Sequence, residues 1–224
     1  VNCAGICKIA DVLDFGREEW DPMIAINLTG AFDLSHAVAK YMIPQKSGRI
    51  INICSLFSFL GGLGSPAYAA MKAGLMGLTK AYADELGKYG ITVNGIAPGY
   101  FQTAMTAKTG SGNEEDPKFI KIKEHIPADR WGERQDLMGA MVFLASKAAD
   151  YVNGTLLVVD GGYLVKIISR FKGKTGVSNM SKKYLMGIDE GSQSAKITIF
   201  DTVGSIVCEA REPLRHMTFQ SLDM

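Results

Sequence analysis

Arg49-Ile50-Ile51-Asn52-Ile53-Cys54-Ser55, followed thirteen residues after Ser55 by Tyr68-Ala69-Ala70-Met71-Lys72, is the stretch on which the fold turns. Residues 49–54 form a short, near-continuous apolar run. A strand reads this way when helices cover both faces of its sheet. Gly61, Gly62 and Gly64 then predict a loop. Beyond it, Met71, Leu75, Leu78, Tyr82 and Leu86 recur at steps of four and three, one face of a helix. Strand, loop and helix recur on both sides of this unit. Gly90–Ile96 and Thr155–Val159 read as further buried strands. Leu137, Met141, Leu144 and Ala148 mark another helical face. Arg17–Met42 reads as helix, with Glu18 and Glu19 suited to its N-terminus and Pro22 tolerable only in a first turn. This alternation predicts an α/β fold with a parallel sheet.

The composition agrees with a packed core. Of 224 residues, 47% are hydrophobic, and 24 Lys+Arg nearly balance 23 Asp+Glu. Such a balance argues against nucleic acid or an anionic membrane as a partner. No apolar run reaches the length of a transmembrane helix, and no secretory leader is read at the start. Cys3 and Cys7 are spaced like half of a metal clip, but no second pair completes it. Together with Cys54 and Cys208 they are expected to be buried, reduced thiols, which fits a cytoplasmic setting. The 25 glycines are in excess of average usage and suit tight turns near a ligand.

After Lys166 the texture changes. Residues 167–179 are basic and aperiodic and read as a linker. Residues 184–189, 194–201 and 205–209 read as three strands punctuated by Gly191 and Gly204, a meander. The expected domains are therefore 1–166 and 180–224.

Tyr68 and Lys72, four apart, share a helix face. A free phenol has a pKa near 10 and must fall by roughly two to three pH units to exchange protons near neutrality. A neighbouring ammonium favours the phenolate. By itself the pair could equally be a half-buried aromatic beside a solvated lysine. Ser55 at the end of one strand, Pro98-Gly99 with Thr103 after a second, and Asp160-Gly161-Gly162 after a third change that reading. Asn2-Cys3-Ala4-Gly5 closes an earlier strand. Ligands of open α/β sheets bind at such carboxyl ends.

These motifs, in this order and with Asn27-Leu28 and Gly30 between them, resemble the short-chain dehydrogenase/reductases over residues 1–166. The resemblance implies a Rossmann-like, doubly wound parallel sheet that lacks its first strands. It implies that Tyr68 acts as acid/base, that Lys72 lowers its pKa and holds the cofactor ribose, and that Ser55 holds the substrate oxygen. Asn27 is expected to anchor a water in a proton relay. Asn2, Ala4, Gly5, Pro98, Gly99, Phe101 and Thr103 are expected to line NAD or NADP, whose selection is not legible. Cys3 stands where the family usually has Asn. Pro127–Gly132 and Tyr151–Gly154 are similar to members acting on sugar acids such as gluconate, so a sugar acid or polyol is the expected substrate. A ketone or acyl-thioester reductase, an assembly module and an inactive fragment stay open. Met105, Phe119, Ile120 and Ile122 are equally pocket lining or lid core. A homotetramer through helices like 68–87 is implied. The family's phosphate-binding turn is not in this sequence, and an N-terminal truncation is expected.

Gly187–Lys196 resembles the first phosphate-binding hairpin of the FGGY carbohydrate kinases, of actin-like ATPase fold. This implies vestigial phosphate or metal contacts at Asp189, Gly191 and Ser192, with Ser192 where Thr is usual. No kinase activity is expected from so short a segment.

Overall fold

The computed structural model describes residues 1–62, 64–106, 114–166, 184–190, 194–201 and 205–213. The chain divides into two units, Val1–Ser169 and Arg170–Met224.

In the first unit three parallel strands, β1 (Gly48–Ile53), β2 (Ile91–Pro98) and β3 (Leu156–Val159), lie in the order β1-β2-β3. Gly48 faces Ile91 and Ile53 faces Ile96 across the first pair, and Gly95 faces Leu156 across the second. Asn2 adds an isolated parallel bridge to Asn52 on the free edge of β1. The opening segment therefore runs beside β1, where the sequence placed the end of an earlier strand.

Helix α3 (Pro66–Leu86) follows the predicted apolar spacing, and the stretch expected as one helix over Arg17–Met42 forms α1 (Arg17–Ile24) and α2 (Gly30–Gln45). Pro66 opens α3 at its first turn, where its missing N–H costs nothing. Pro22 sits in the sixth position of α1 and not in its first turn. Between α1 and α2 the backbone widens into a π-turn, Ala25–Thr29, a feature that hydrophobic spacing does not reveal. The single turn α4 (Ala104–Thr106), α5 (Pro117–His125) and α6 (Met138–Ala145) follow. α6 stops at Ala145, and a short 3-10 turn over Lys147–Ala149 buries Ala149 and leaves Ala148 exposed. The helical spacing expected to reach Ala148 breaks where Ser146 turns extended and caps that 3-10 turn.

Helices cover both faces of the sheet. On one, Ile50, Ile91 and Val93 pack with Ala83 and Leu86 of α3, against Ala39 and Met42 of α2. On the other, Ile51 and Ile96 pack with Leu144 of α6 and Ala149. This double burial is why the strands read as apolar runs without alternation. Two asparagines interrupt them, both fully buried and both paired. Asn52 donates to Thr79 at 2.8 Å, and Asn94 donates to the Val152 carbonyl and accepts from Thr155 N–H.

In the second unit β4 (Tyr184–Glu190), β5 (Ser194–Asp201) and β6 (Ile206–Pro213) form an antiparallel meander in that order. β6 runs four residues beyond its expected end at Glu209. Among the described residues no helix is long and apolar enough to cross a membrane.

Candidate active site

The carboxyl ends of the strands converge on one side of the sheet. Ile53 N–H bonds the Asn2 carbonyl, Cys54 N–H bonds the Ile96 carbonyl, and Gly99 N–H bonds the Val159 carbonyl. A side chain at Gly99 would meet Asp160 at 2.7 Å, so only glycine lets these two strand ends lie together. Asp160 itself turns back to accept from Gly162 and Leu164 N–H, both at 2.8 Å, and shapes the loop.

Ser55, leaving β1 in extended conformation, caps the short turn Leu56–Ser58 by accepting from Phe57 N–H at 3.3 Å. It is 9% exposed. The Tyr68 ring on α3 stands edge-on to Phe57, with centroids 5.7 Å apart. Lys72, one turn along, is 5% exposed. Its Nζ donates to the Ile53 carbonyl at 2.6 Å and lies 5.6 Å from the Tyr68 ring centre. Ser58, which sequence reading passed over, donates to the Lys72 carbonyl at 2.8 Å and fastens this turn of α3 to the short turn after β1. The structure therefore brings Ser55, Tyr68 and Lys72 together.

The electrostatics run against one expectation. Burial pushes the Tyr68 phenol up to about 12, while the Ser55 hydroxyl bonded to it opposes the rise. Burial also pulls the Lys72 ammonium below its ordinary value. Lys72 is not among the groups that move the Tyr68 phenol in this state, and its ammonium is bonded to the Ile53 carbonyl. Tyr68 holds its proton in this state. A neutral phenol can donate to a carbonyl oxygen, and the reverse reaction requires its ionisation. The raised value also makes a stability prediction. The contribution is fully present below the unfolded value near 10 and is lost as pH rises through about 12. Alkaline unfolding of the chain should show this loss, roughly 3 kcal/mol, and Tyr68→Phe should remove it.

Asn27 lies in the π-turn and is 2% exposed. Its Oδ1 accepts from Ile6 N–H at 2.8 Å and its Nδ2 donates to the Ile6 carbonyl at 2.7 Å. The side chain thus pins the opening segment through both backbone groups of Ile6. Gly5 sits against it, where a Cβ would meet Oδ1 at 2.9 Å. Ser65 holds the same segment further on, donating to the Lys8 carbonyl at 2.6 Å.

The side chains of the residues expected to line the cofactor have these surroundings. The Asn2 amide is turned inward to Asn52 Oδ1 at 2.7 Å and Ser35 Oγ at 3.0 Å. Phe101 is 7% exposed, its ring packed on Gly132, because residue 101 is bridged to that strand-like segment. Thr103 is exposed and exchanges hydrogen bonds with Thr106, forming a local turn. Pro98 and Gly99 remain at the end of β2, and Ala4 is exposed beside Gly5. Phe119 is core, stacked 4.7 Å from Trp131 with Ile126 alongside, and Ile122 packs against them. Ile120 is exposed, and the Met105 side chain lies outside the described residues. Cys3 is exposed, contrary to the expected burial, while Cys54 is buried and Cys7 half-buried beside Ser65. Asp189 is in β4, opposite Lys196, while Gly191 and Ser192 lie outside the described residues.

An open parallel sheet, flanked on both faces and carrying a Ser–Tyr–Lys set at its strand ends, defines a class of protein. The chain belongs to the short-chain dehydrogenase/reductase family. Residues 1–164 match the family model described as enoyl-(acyl carrier protein) reductase. The chain is 66% identical over 166 residues to the uncharacterized oxidoreductase YgcW of Escherichia coli K12, covering 74% of this chain and 62% of that protein. It is 45% identical over 167 residues to the 2-dehydro-3-deoxy-D-gluconate 5-dehydrogenase of the same organism, covering 74% and 65%. A solved gluconate 5-dehydrogenase from Burkholderia cenocepacia, in complex with NADP and tartrate, is similar at 40% identity and a TM-score of 0.70, covering 74% and 64%. The chain thus spans a little under two thirds of the length of these relatives.

Proposed function

We propose that the chain carries the catalytic part of an NAD(P)-dependent oxidoreductase that interconverts a secondary alcohol and a ketone on a sugar acid. The observation that carries this reading is the Ser55–Tyr68–Lys72 cluster at the end of β1. Relatives named for gluconate and deoxygluconate chemistry support the substrate class. A relative solved with NADP supports the cofactor class.

The residues fit such a cofactor. An ammonium has three donors, and among the described residues buried Lys72 bonds only the Ile53 carbonyl. The remaining donors suit the paired hydroxyls of a ribose. Gly99 and Pro98 would lie against the nicotinamide. A bound nicotinamide supplies the hydride acceptor or donor, with the protein contributing orientation and charge. Ser55 would hold the substrate oxygen. Tyr68 would give that oxygen a proton in reduction and take one in oxidation. Since Tyr68 keeps its proton up to high pH, oxidation should accelerate with pH through the neutral and alkaline range.

The test is a thermal melt of the chain with NADH or NADPH, followed by turnover assays on gluconate and 2-dehydro-3-deoxygluconate. A ligand that binds only the native state raises the melting temperature. A rise with one cofactor, and turnover with either sugar acid, is the expected result. No rise with either cofactor would sink the reading.

We also propose a homotetramer, a cytoplasmic setting and a kinase-like second unit. The homotetramer is supported by the exposed Phe32, Leu34 and Tyr41 of α2 and by an apolar groove between α2 and α3 lined by Leu28, Phe32, Gly74 and Leu78. A second copy of the chain would cover it. The cytoplasmic setting rests on free Cys3, Cys7 and Cys54. Residues 180–224 we read, on sequence resemblance, as a kinase-like hairpin fragment joined by linker 167–179.

A further inference from the structure

The short turn after β1, Leu56–Ser58, meets all three residues of the Ser55–Tyr68–Lys72 cluster. Leu56, 2% exposed, seats this turn in the core. Ser58 holds it to the Lys72 carbonyl. Phe57, between them, makes two contacts at once. Its backbone N–H donates to Ser55 Oγ at 3.3 Å. Its ring stands at 81° to the Tyr68 ring, with centroids 5.7 Å apart.

Each contact constrains one of the two groups that would meet the substrate oxygen. A serine hydroxyl has one proton and two lone pairs. The Phe57 N–H occupies one lone pair of Ser55 Oγ and leaves the proton to be directed at the Tyr68 phenol, to which the Ser55 hydroxyl is bonded. The Tyr68 ring is constrained through its edge-to-face contact. Aromatic pairs prefer such an arrangement, so the Phe57 ring favours one setting of the Tyr68 side chain.

We infer that Phe57 is a positioning residue whose backbone N–H aims the Ser55 hydroxyl and whose ring sets the Tyr68 phenol, so that one residue fixes how the two groups face each other. For its effect on rate this rests on the reaction proposed above. Its effect on the phenol rests on the contacts alone. Phe57 acts through Ser55 and Tyr68 and is itself neither acid, base nor nucleophile.

The consequence for pH has a definite sign. Burial is the largest cause that raises the Tyr68 phenol. Cys7 of the opening segment and Cys54 after β1 add to the rise, and the Ser55 hydroxyl opposes it. Lys72 of α3 is the charged group against the ring, 5.6 Å from its centre. Removing the Phe57 ring admits water, weakens the effect of burial and lets the phenol fall towards its ordinary value. The phenolate that oxidation requires then forms at lower pH.

The experiment compares Phe57→Leu, Phe57→Ala and Phe57→Tyr in the full chain. Tyrosine labelled at Cζ is followed by NMR at one alkaline pH where all the chains stay folded, and the Tyr68 signal is assigned from its loss in Tyr68→Phe. The expected result is a phenolate-to-phenol ratio at Tyr68 about tenfold higher in Phe57→Leu and Phe57→Ala than in the parent. With cofactor and sugar acid, kcat of reduction should fall about tenfold in Phe57→Leu while KM for the cofactor stays within about twofold. Phe57→Tyr, which keeps the ring, should restore kcat. A merely structural phenylalanine would lower the melting temperature and leave the Tyr68 phenol and kcat as they were. A Tyr68 phenol ionised to the parent's extent in Phe57→Leu and Phe57→Ala would overturn the inference. If Phe57→Ala does not fold, Phe57→Leu decides alone. The phenol measurement needs no turnover, so a parent chain that turns over neither sugar acid would defeat the proposed reaction while the phenol still decides the role of Phe57.

Discussion

Tyr68→Phe lowers turnover of the sugar-acid reaction by about 10²–10⁴-fold, the usual contribution of a positioned acid/base. The ring keeps its edge contact with Phe57, and only the phenol oxygen is lost. The fold and the cofactor-induced rise in melting temperature should therefore persist. That combination separates catalysis from a purely structural tyrosine, since a structural role would move the melt and spare the rate. Because Tyr68 carries its proton to about 12, the rate that remains in the variant should also lose its increase with pH. Unchanged turnover in Tyr68→Phe would remove Tyr68 from the chemistry, and with it the proposed reaction.

Asn27→Leu destabilises the first unit by about 2–6 kcal/mol. Asn27 satisfies both the N–H and the carbonyl of Ile6 from a position 2% exposed. Leucine, similar in volume, leaves both backbone groups unpaired, each at roughly 1–3 kcal/mol. The effect reaches the site, because the same segment continues through Cys7 to Lys8, where Ser65 at the head of α3 holds it. Denaturant unfolding of the variant gives the stability loss. A loss under about 1 kcal/mol would show that water replaces the amide and that the π-turn does not anchor this segment.

Both predictions depend on the site being legible in part. The apolar runs of β1, β2 and β3, the spacing on α3 and the Tyr68–Lys72 pair were all visible, because strand burial and helix periodicity are local properties of the chain. Ser55 was visible because it directly follows such a run. The meander β4-β5-β6 was visible for the same reason, from its glycine punctuation. Missed were Ser58, Ser65 and the partner of Asn27. Each acts on backbone far away in sequence: 14 residues for Ser58 to Lys72, 57 for Ser65 to Lys8, 21 for Asn27 to Ile6. No local pattern encodes such a pairing.

The same distinction applies to residues assigned by motif. Phe101 and Asn2 were assigned to a cofactor surface by their place in motifs. The fold spends Phe101 on Gly132 and the Asn2 amide on Asn52 and Ser35. Motif position names a residue's neighbourhood, while side-chain direction follows from what the neighbouring elements leave unfilled or unpaired.

By itself, then, the sequence determined an α/β unit with parallel strands, helices on both faces and Ser55, Tyr68 and Lys72 at one strand end, followed by an antiparallel meander. Only the tertiary structure decided the protonation of the site and its anchoring. Burial of Tyr68 depends on Phe57 and on the packing around α3, and it outweighs the Ser55 hydrogen bond that opposes it. The contact of Phe57 with Tyr68 likewise exists only once the turn after β1 packs on α3, since no single element brings those two rings together.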